Sequence, residues 1–444
     1  IGYLMRVLEI GNLGAYKQAH VHFQLALAHY SIANLQLSLD HSHQSLKALK
    51  IRLATRTVGV VRSILFQLAQ QFLPILRKVS GYQRYPQEHL RLAVKVSVHM
   101  SQVLFFAGKR LETVQVAFLA GNLAEHTGKT PELLRAYSIV SYVYVSIALY
   151  RMSERYSQKT LAIIEDIEDV SARAFAYLVL GLYFASIGKL ATAQNYFMLA
   201  FNLFDEIGDH RRQREALAMV SLVTTLMGNL AEGKKHRMRL QEISLRSNDI
   251  QSIGWAYSNL AEVGVWLGDF DFAVTYAQKR IDLIPQFSDD IDATTTSFSV
   301  LAIALWRSGK IEIAEVAALQ ALDHIRDLPD KRGLYTLIGY GILAELMLEI
   351  WASHPNTAKR AEFKEHAQEA LTMFKESTSV LLTGKAWYWR CLGMSYWLNG
   401  DRTRADEWWK KALSMAQASQ MQYEETIIRV LLAQYITPNM IERR

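Results

Sequence analysis

Cysteine occurs once in this chain, at Cys391, so no internal disulfide can form, and such usage suits a reducing, cytoplasmic compartment. Cys391 stands in a dense apolar helical stretch, which predicts a buried, inert thiol. Proline occurs only seven times, so long helices run with few breakers. Unbroken apolar runs of membrane-spanning length are also missing. The nearest, Ala136 to Tyr150, is interrupted by serines and predicts a buried helix of a soluble array, with no membrane partner. No signal-peptide pattern is visible. A strong excess of one charge is absent too: 49 basic residues against 42 acidic give +7, a mild bias for 444 residues. That excludes the footprint of a dedicated nucleic-acid binder. Two basic clusters remain, Arg211, Arg212 and Arg214, then Lys234, Lys235, Arg237 and Arg239. They read as solvated faces, turns or ion pairs, with an anionic contact as the alternative.

What is present is periodicity. Gly188, Gly228, Gly268 and Gly309 stand about 40 residues apart, Gly108 lies two such periods earlier, and Gly400 follows a stretched interval. A fixed period in this range means stacked supersecondary units. Each glycine lies between two apolar helical patterns, where a short turn needs a residue that tolerates positive φ. Before Gly188 come Tyr177, Leu180, Gly181 and Phe184; before Gly400 come Trp389, Leu392, Gly393 and Tyr396. Large, large, small, large at i, i+3, i+4 and i+7 make one apolar helix face with a notch. After the turns, Ala193, Phe197 and Ala200, or Ala405, Trp409 and Ala412, mark the face of a second, crossing helix.

These residues carry a resemblance to the tetratricopeptide repeat, whose signature is Trp-x2-Leu-Gly-x2-Tyr followed by Ala, Phe and Ala. Weaker copies centre on Gly108, on Ala148 with Tyr137 and Tyr144, and on Gly228, and an N-terminal pair turns at Ala33. The resemblance implies an all-α, right-handed α-solenoid of eight to nine helix-turn-helix repeats. The chain departs from the signature in three places. Its period is longer by about six residues, or about 4.5 Å per helix. Arg237 and Arg280 stand where an apolar or small residue is expected, which predicts ion pairing or a local shift. The segment Trp351 to Lys359 reads as an insertion separating two helices. The expected division is a helical hairpin over 1–50, an irregular helical connector over 51–93 broken at Pro74, Gly81 and Pro86, and a superhelix over 94–444.

The order of local phrases over nearly the whole chain is similar to the C-terminal repeat region of large signal-transduction ATPases of the STAND type. These phrases run over 29–49, 61–78, 124–141 and 203–221. The family includes proteins with an N-terminal class III nucleotide cyclase or a serine/threonine kinase domain. The resemblance implies a regulatory arm that follows an ATPase module. The start at Ile1-Gly2, without methionine, agrees with a piece of a longer polypeptide.

No catalytic pattern is found. Gly128-Lys129-Thr130 lacks the glycine of a phosphate-binding loop, because Leu123 stands in its place. It reads instead as a turn in which Thr130 caps a helix ahead of Pro131. His20, His22, His29, His41 and His43 cluster without the i,i+3 or i,i+4 pairs a helical metal site favours, so neither metal nor cofactor is expected.

The resemblance implies that the helix face opposite the notch lines a concave groove. That face carries Arg135, Tyr142, Trp255, Glu262, Trp306, Trp387, Arg390, Met394 and Trp397. Tryptophan, tyrosine and arginine are enriched at binding hot spots. The alternative is that these aromatics fill the space between long helices. On the first reading the chain is a non-catalytic interaction and sensing arm whose partner is a protein or peptide segment, apolar or acidic, or the effector domains of the same polypeptide. A small-ligand sensor, a nucleic-acid contact and a passive spacer are the rivals. The groove residues are expected to stand clear of the packing, so that Trp387→Ala spares stability.

Overall fold

The computed structural model describes residues 1–436 except 12, 33, 74, 77–80, 248, 285–290 and 327–335, with 291–294 as backbone alone. Among the described residues there are 21 α-helices and no strand. The expected turn at Ala33 and break at Pro74 lie outside the described residues. Cα proximity divides the chain into two compact units, one of Ile1–Leu180 with Asn202–Arg211, the other of Gly181–Phe201 with Arg212–Arg444.

The first unit opens with α1 (Gly2–Ile10), the hairpin α2 (Ala15–Ser31) and α3 (Leu35–Ala48), and α4 (Thr57–Phe72). It continues with α5 (Gln87–Phe106), α6 (Arg110–Ala124), α7 (Pro131–Ser146) and α8 (Tyr150–Leu161). The boundary runs through α9 (Val170–Ser186), α10 (Leu190–Glu206) and α11 (His210–Leu226). In the second unit follow α12 (Leu230–Ser247), α13 (Ile250–Leu267), α14 (Phe270–Ile281), α15 (Ile291–Arg307) and α16 (Ile311–Arg326). The last elements are α17 (Leu337–Ser353), α18 (Thr357–Thr378), α19 (Lys385–Leu398), α20 (Arg402–Ala418) and α21 (Gln422–Leu431). A short π-helical turn follows over Leu432–Ile436.

Pairs recur: α5 packs on α6, α7 on α8, α13 on α14, α15 on α16, α17 on α18 and α19 on α20. First helices also stack on first helices, α13 on α15, α15 on α17 and α17 on α19. This is a tetratricopeptide-like solenoid. The turn chemistry explains the pairing. All six periodic glycines have positive φ, for instance 76° at Gly268. There the Asp269 amide donates back to the Gly264 carbonyl at 2.9 Å, and the Asp269 carboxylate accepts from the Phe272 amide to start the next helix. Ala148 makes the same turn at φ 59° without being glycine, as its place in the repeat order requires.

The notch is equally literal. A Cβ on Gly393 would lie 2.5 Å from the Trp409 indole, and one on Gly181 would lie 2.5 Å from the Phe197 ring. The Trp409 indole N–H donates to the Arg390 carbonyl at 3.1 Å, locking α20 across α19. The segment read as an insertion is only the turn between α17 and α18. His354 holds it by accepting from the Asn356 amide at 2.9 Å, and Asn356 caps α18.

In the second unit the end of the chain returns to its beginning. The Gln422 amide donates to the Met227 carbonyl at 3.3 Å, and Gly188 and Gly228 are closely approached by Ser419 and Tyr423. A β-carbon at Gly228 would sit 2.8 Å from the Tyr423 amide nitrogen, so that turn excludes any other residue.

Candidate functional site

The inner faces of the first helices in the second unit meet in one seam. Glu345 of α17 accepts from the Arg390 guanidinium at 2.6 Å and from the Trp387 indole N–H at 3.1 Å, both on α19. Arg307 of α15 donates to Glu345 and, at 2.6 Å, to Glu349. Arg390 donates onward to Glu424 of α21 at 2.8 Å. The charges alternate as Glu349, Arg307, Glu345, Arg390, Glu424, so three carboxylates share two guanidiniums. Trp266 of α13 stands 6.1 Å from both Trp387 and Tyr423, closing the aromatic side of the seam.

Burial and pairing compete in this seam. Burial pushes the Glu345 carboxyl up, but Arg390 and then Arg307 outweigh it and hold the group at about 2. Glu349 and Glu424 go the other way, because burial raises each more than its arginine lowers it. The surplus carboxylate is therefore incompletely matched. Cys391, next to Arg390, is buried and its thiol is raised by desolvation, in line with an inert thiol.

The nine residues expected in one groove fall into separate environments. Arg135 and Tyr142 belong to the first unit: Arg135 donates to Ser171 at 2.9 Å and lies over the Phe175 ring, and Tyr142 is buried edge-on to Phe105. In the second unit Trp387 and Arg390 meet on Glu345. Trp397 instead packs at a tilt of 44° on the Tyr435 ring, centroids 4.8 Å apart, beside Arg402 and Trp409. Trp306 is half-buried on the His354 ring, Met394 is half-buried, and Trp255 is buried. Glu262 pairs with the fully buried Arg237 at 3.3 Å. Burial pushes Glu262 up to about 7 and Arg237 down to about 10, in each case more than their attraction restores. Arg237 is thus ion-paired, and Arg280, the second such arginine, lies buried against Gly254.

One expectation is reversed. Trp387 is only 2% exposed, wedged against Gly341 and the Phe374 ring, so it does not stand clear of the packing. The cause is packing from three other helices, with Trp266 of α13, Gly341 of α17 and Phe374 of α18 set against the indole.

Sequence reasoning missed Arg307, Glu345, Glu349, Glu424 and Trp266. A signal existed: Arg307 to Glu349 spans 42 positions and Glu345 to Arg390 spans 45, each about one repeat. Opposite charges one period apart on inner faces mark such a ladder.

The remaining motifs resolve simply. Lys129 pairs with Asp166, and the Thr130 hydroxyl accepts from the Leu133 amide at 3.3 Å, as a turn and cap should. Arg211 and Arg214 are buried, not solvated: Arg211 lies over the Tyr30 ring at 4.2 Å, and Arg214 pairs with Asp249 at 2.9 Å. His22 and His41 come from different helices yet place their Nδ1 atoms 3.1 Å apart, with His29 stacked on His41. Burial lowers both His22 and His41, which disfavours their charged forms. No group of three or more metal-ligating side chains occurs among the described residues. The first unit also has a hollow of about 520 Å³ between α2 and α5, lined by Tyr16, His20, Arg91, Lys95 and Glu132 among others.

No protein-family model and no curated protein matches the sequence. Solved structures do match in fold. A Rap protein complexed with competence and sporulation factor gives a TM-score of 0.53 at 9% identity, over 91% of this chain and 99% of its own. The apo form of the quorum sensor NprR from B. thuringiensis gives 0.51 at 12% identity, over 80% and 96%. A STAND protein with a tetratricopeptide-repeat sensor from Pyrococcus horikoshii gives 0.45 at 13%, over 96% of this chain and 66% of that one. At these identities the likeness is one of fold: helical repeats of the tetratricopeptide kind. Among the described residues, no helix is long and apolar enough to cross a membrane.

Proposed function

We propose that this chain is a non-catalytic sensing arm that takes up a protein or peptide segment at the inner face of its second unit and passes the event to effector domains of the same polypeptide. The observation that carries the reading is the seam of Glu349, Arg307, Glu345, Arg390 and Glu424. It builds an interior from exchangeable ion pairs, where a purely structural core would use apolar side chains. Its surplus carboxylate selects the partner. Arg390 is already held from two sides, so an acidic segment finds no free guanidinium there, whereas a lysine or arginine would match Glu349. The incoming segment is therefore basic with an apolar neighbour. Similarity of fold to a Rap protein seen with competence and sporulation factor, and to a quorum sensor, supports reception of a signal by such an array.

Selection of short displayed peptides on the chain, followed by calorimetric titration, tests this. Peptides with an apolar residue beside Arg or Lys should be enriched, and Glu349→Gln should weaken them by about tenfold, the worth of one charge-assisted hydrogen bond. Enrichment of acidic peptides, or indifference to Glu349→Gln, contradicts it. Nucleic-acid binding loses its main support, since Arg214 pairs with Asp249 and Arg239 lies over Phe201. A cytoplasmic setting behind a STAND-type ATPase, with a cyclase or kinase effector, belongs to the same proposal and rests on the sequence phrases. A Walker motif upstream of Ile1 is its test.

A further inference from the structure

Helix α4 is built inside out. Its glutamines face the body of the first unit: the Asn122 amide donates to the Gln67 carbonyl and side chain at 2.9 and 2.6 Å, and the Tyr144 hydroxyl donates to Gln71. Gln67, Gln70 and Gln71 are all buried. The opposite side carries four exposed side chains in line, Val58, Val61, Leu65 and Phe72, with Val58 at 83% and Leu65 at 61%, and Phe66 is exposed beside them. With the half-buried Leu68 the spacing is 3, 4, 3, 4, the alternation of a coiled-coil seam. At about 100° per residue the four exposed side chains fall within an arc of roughly 60°. Phe66, also exposed, flanks the stripe about 80° beyond Val58, so it is the 3, 4, 3, 4 spacing and not the width of the face that points to a partner helix.

Charge narrows the occupant further. Residues 41–87 contain eight lysines and arginines and no aspartate or glutamate. Arg52, Arg56 and Arg62, at and before the start of α4, are exposed. A second copy docking through the same segment would bring cation against cation, with no carboxylate within 41–87 to answer it. We infer that the α4 seam docks a single amphipathic helix of a protein partner, apolar at heptad spacing and acidic along its flanks. This surface belongs to the first unit and does not depend on the inner seam of the second.

The probe is a synthetic helical peptide of about 21 residues with leucine at both seam positions and glutamate on the flanks. Its control carries lysine on the flanks, and vesicles of phosphatidylcholine with about 30% phosphatidylserine test the lipid source. Titrated on the full chain, the acidic peptide should bind saturably and more weakly as salt rises, and the lysine peptide should not bind. Leu65→Asp changes an exposed position, so the helical spectrum should persist while affinity falls by at least about tenfold. Equal binding of both peptides, binding of neither, or acidic-peptide binding untouched by Leu65→Asp overturns the inference. So does vesicle binding that Leu65→Asp abolishes, which assigns the stripe to lipid. A dimer that Leu65→Asp dissociates also overturns it, because the occupant is then a second copy.

Discussion

Gly393 and Trp387 lie on one helix and do opposite jobs, yet both are held by close packing. Gly393→Ala places a methyl 2.5 Å from the Trp409 indole, and the crossing of α19 and α20 must widen. The expected cost is about 1–3 kcal/mol, read as a lower Tm in thermal melts. Trp387→Ala empties a buried site against Gly341 and Phe374 and leaves Glu345 one donor short. It should cost about 3–5 kcal/mol, at least as much as the glycine change. A Trp387→Ala protein that melts like wild type would place the indole in solvent. Glu345 supplies a pH signature. Its carboxyl is pulled from 4.5 to about 2, so its stabilisation is complete above 4.5 and is lost as pH falls through that window. Denaturant melts should show wild type more stable than Glu345→Gln at neutral pH, the gap shrinking steadily between pH 4.5 and 2. A gap independent of pH would mean that Glu345 carries no charge in the folded chain.

At the scale of the element, the turn chemistry was open to sequence reading because it demands particular residue types. A helix that stops and reverses in four residues needs positive φ, and the periodic glycines reported it directly. Ala148 meets the same demand at the expense of backbone strain. Ala148→Gly should therefore stabilise the first unit by about 1 kcal/mol, visible as a higher Tm. A lower Tm would show that the turn does not depend on its left-handed residue. The notch was legible for the same reason, since a missing side chain is visible in a sequence. Burial of the inner face was not. Helical spacing puts Trp387 and Arg390 on the face away from the notch, but only the approach of other elements, Trp266 of α13 and Phe374 of α18 to the indole and Glu424 of α21 to the guanidinium, decides whether that face meets solvent. The histidines were considered one helix at a time, which leaves the meeting of His22 and His41 across the α2–α3 hairpin unread. Helix α4, read as part of an irregular connector, has an ordinary apolar stripe; its orientation is set by buried glutamines that no periodicity reveals.

Within the second unit, the closing of Gln422–Glu424 onto the Met227–Gly228 turn ties the stability of the array to the proposed reception site. A solenoid normally holds itself by contacts between neighbours alone. Here Gln422, Tyr423 and Glu424 reach across to α13, α19 and the earlier turn, so whatever opens the seam must release α21. The most direct measurement is hydrogen exchange on the chain with and without a selected basic peptide. The account predicts altered exchange at 337–353, 385–398 and 422–431, lost in Glu349→Gln, with residues 1–160 unchanged. Altered exchange confined to residues 1–160, with the α17, α19 and α21 amides indifferent to a peptide that binds, would contradict it.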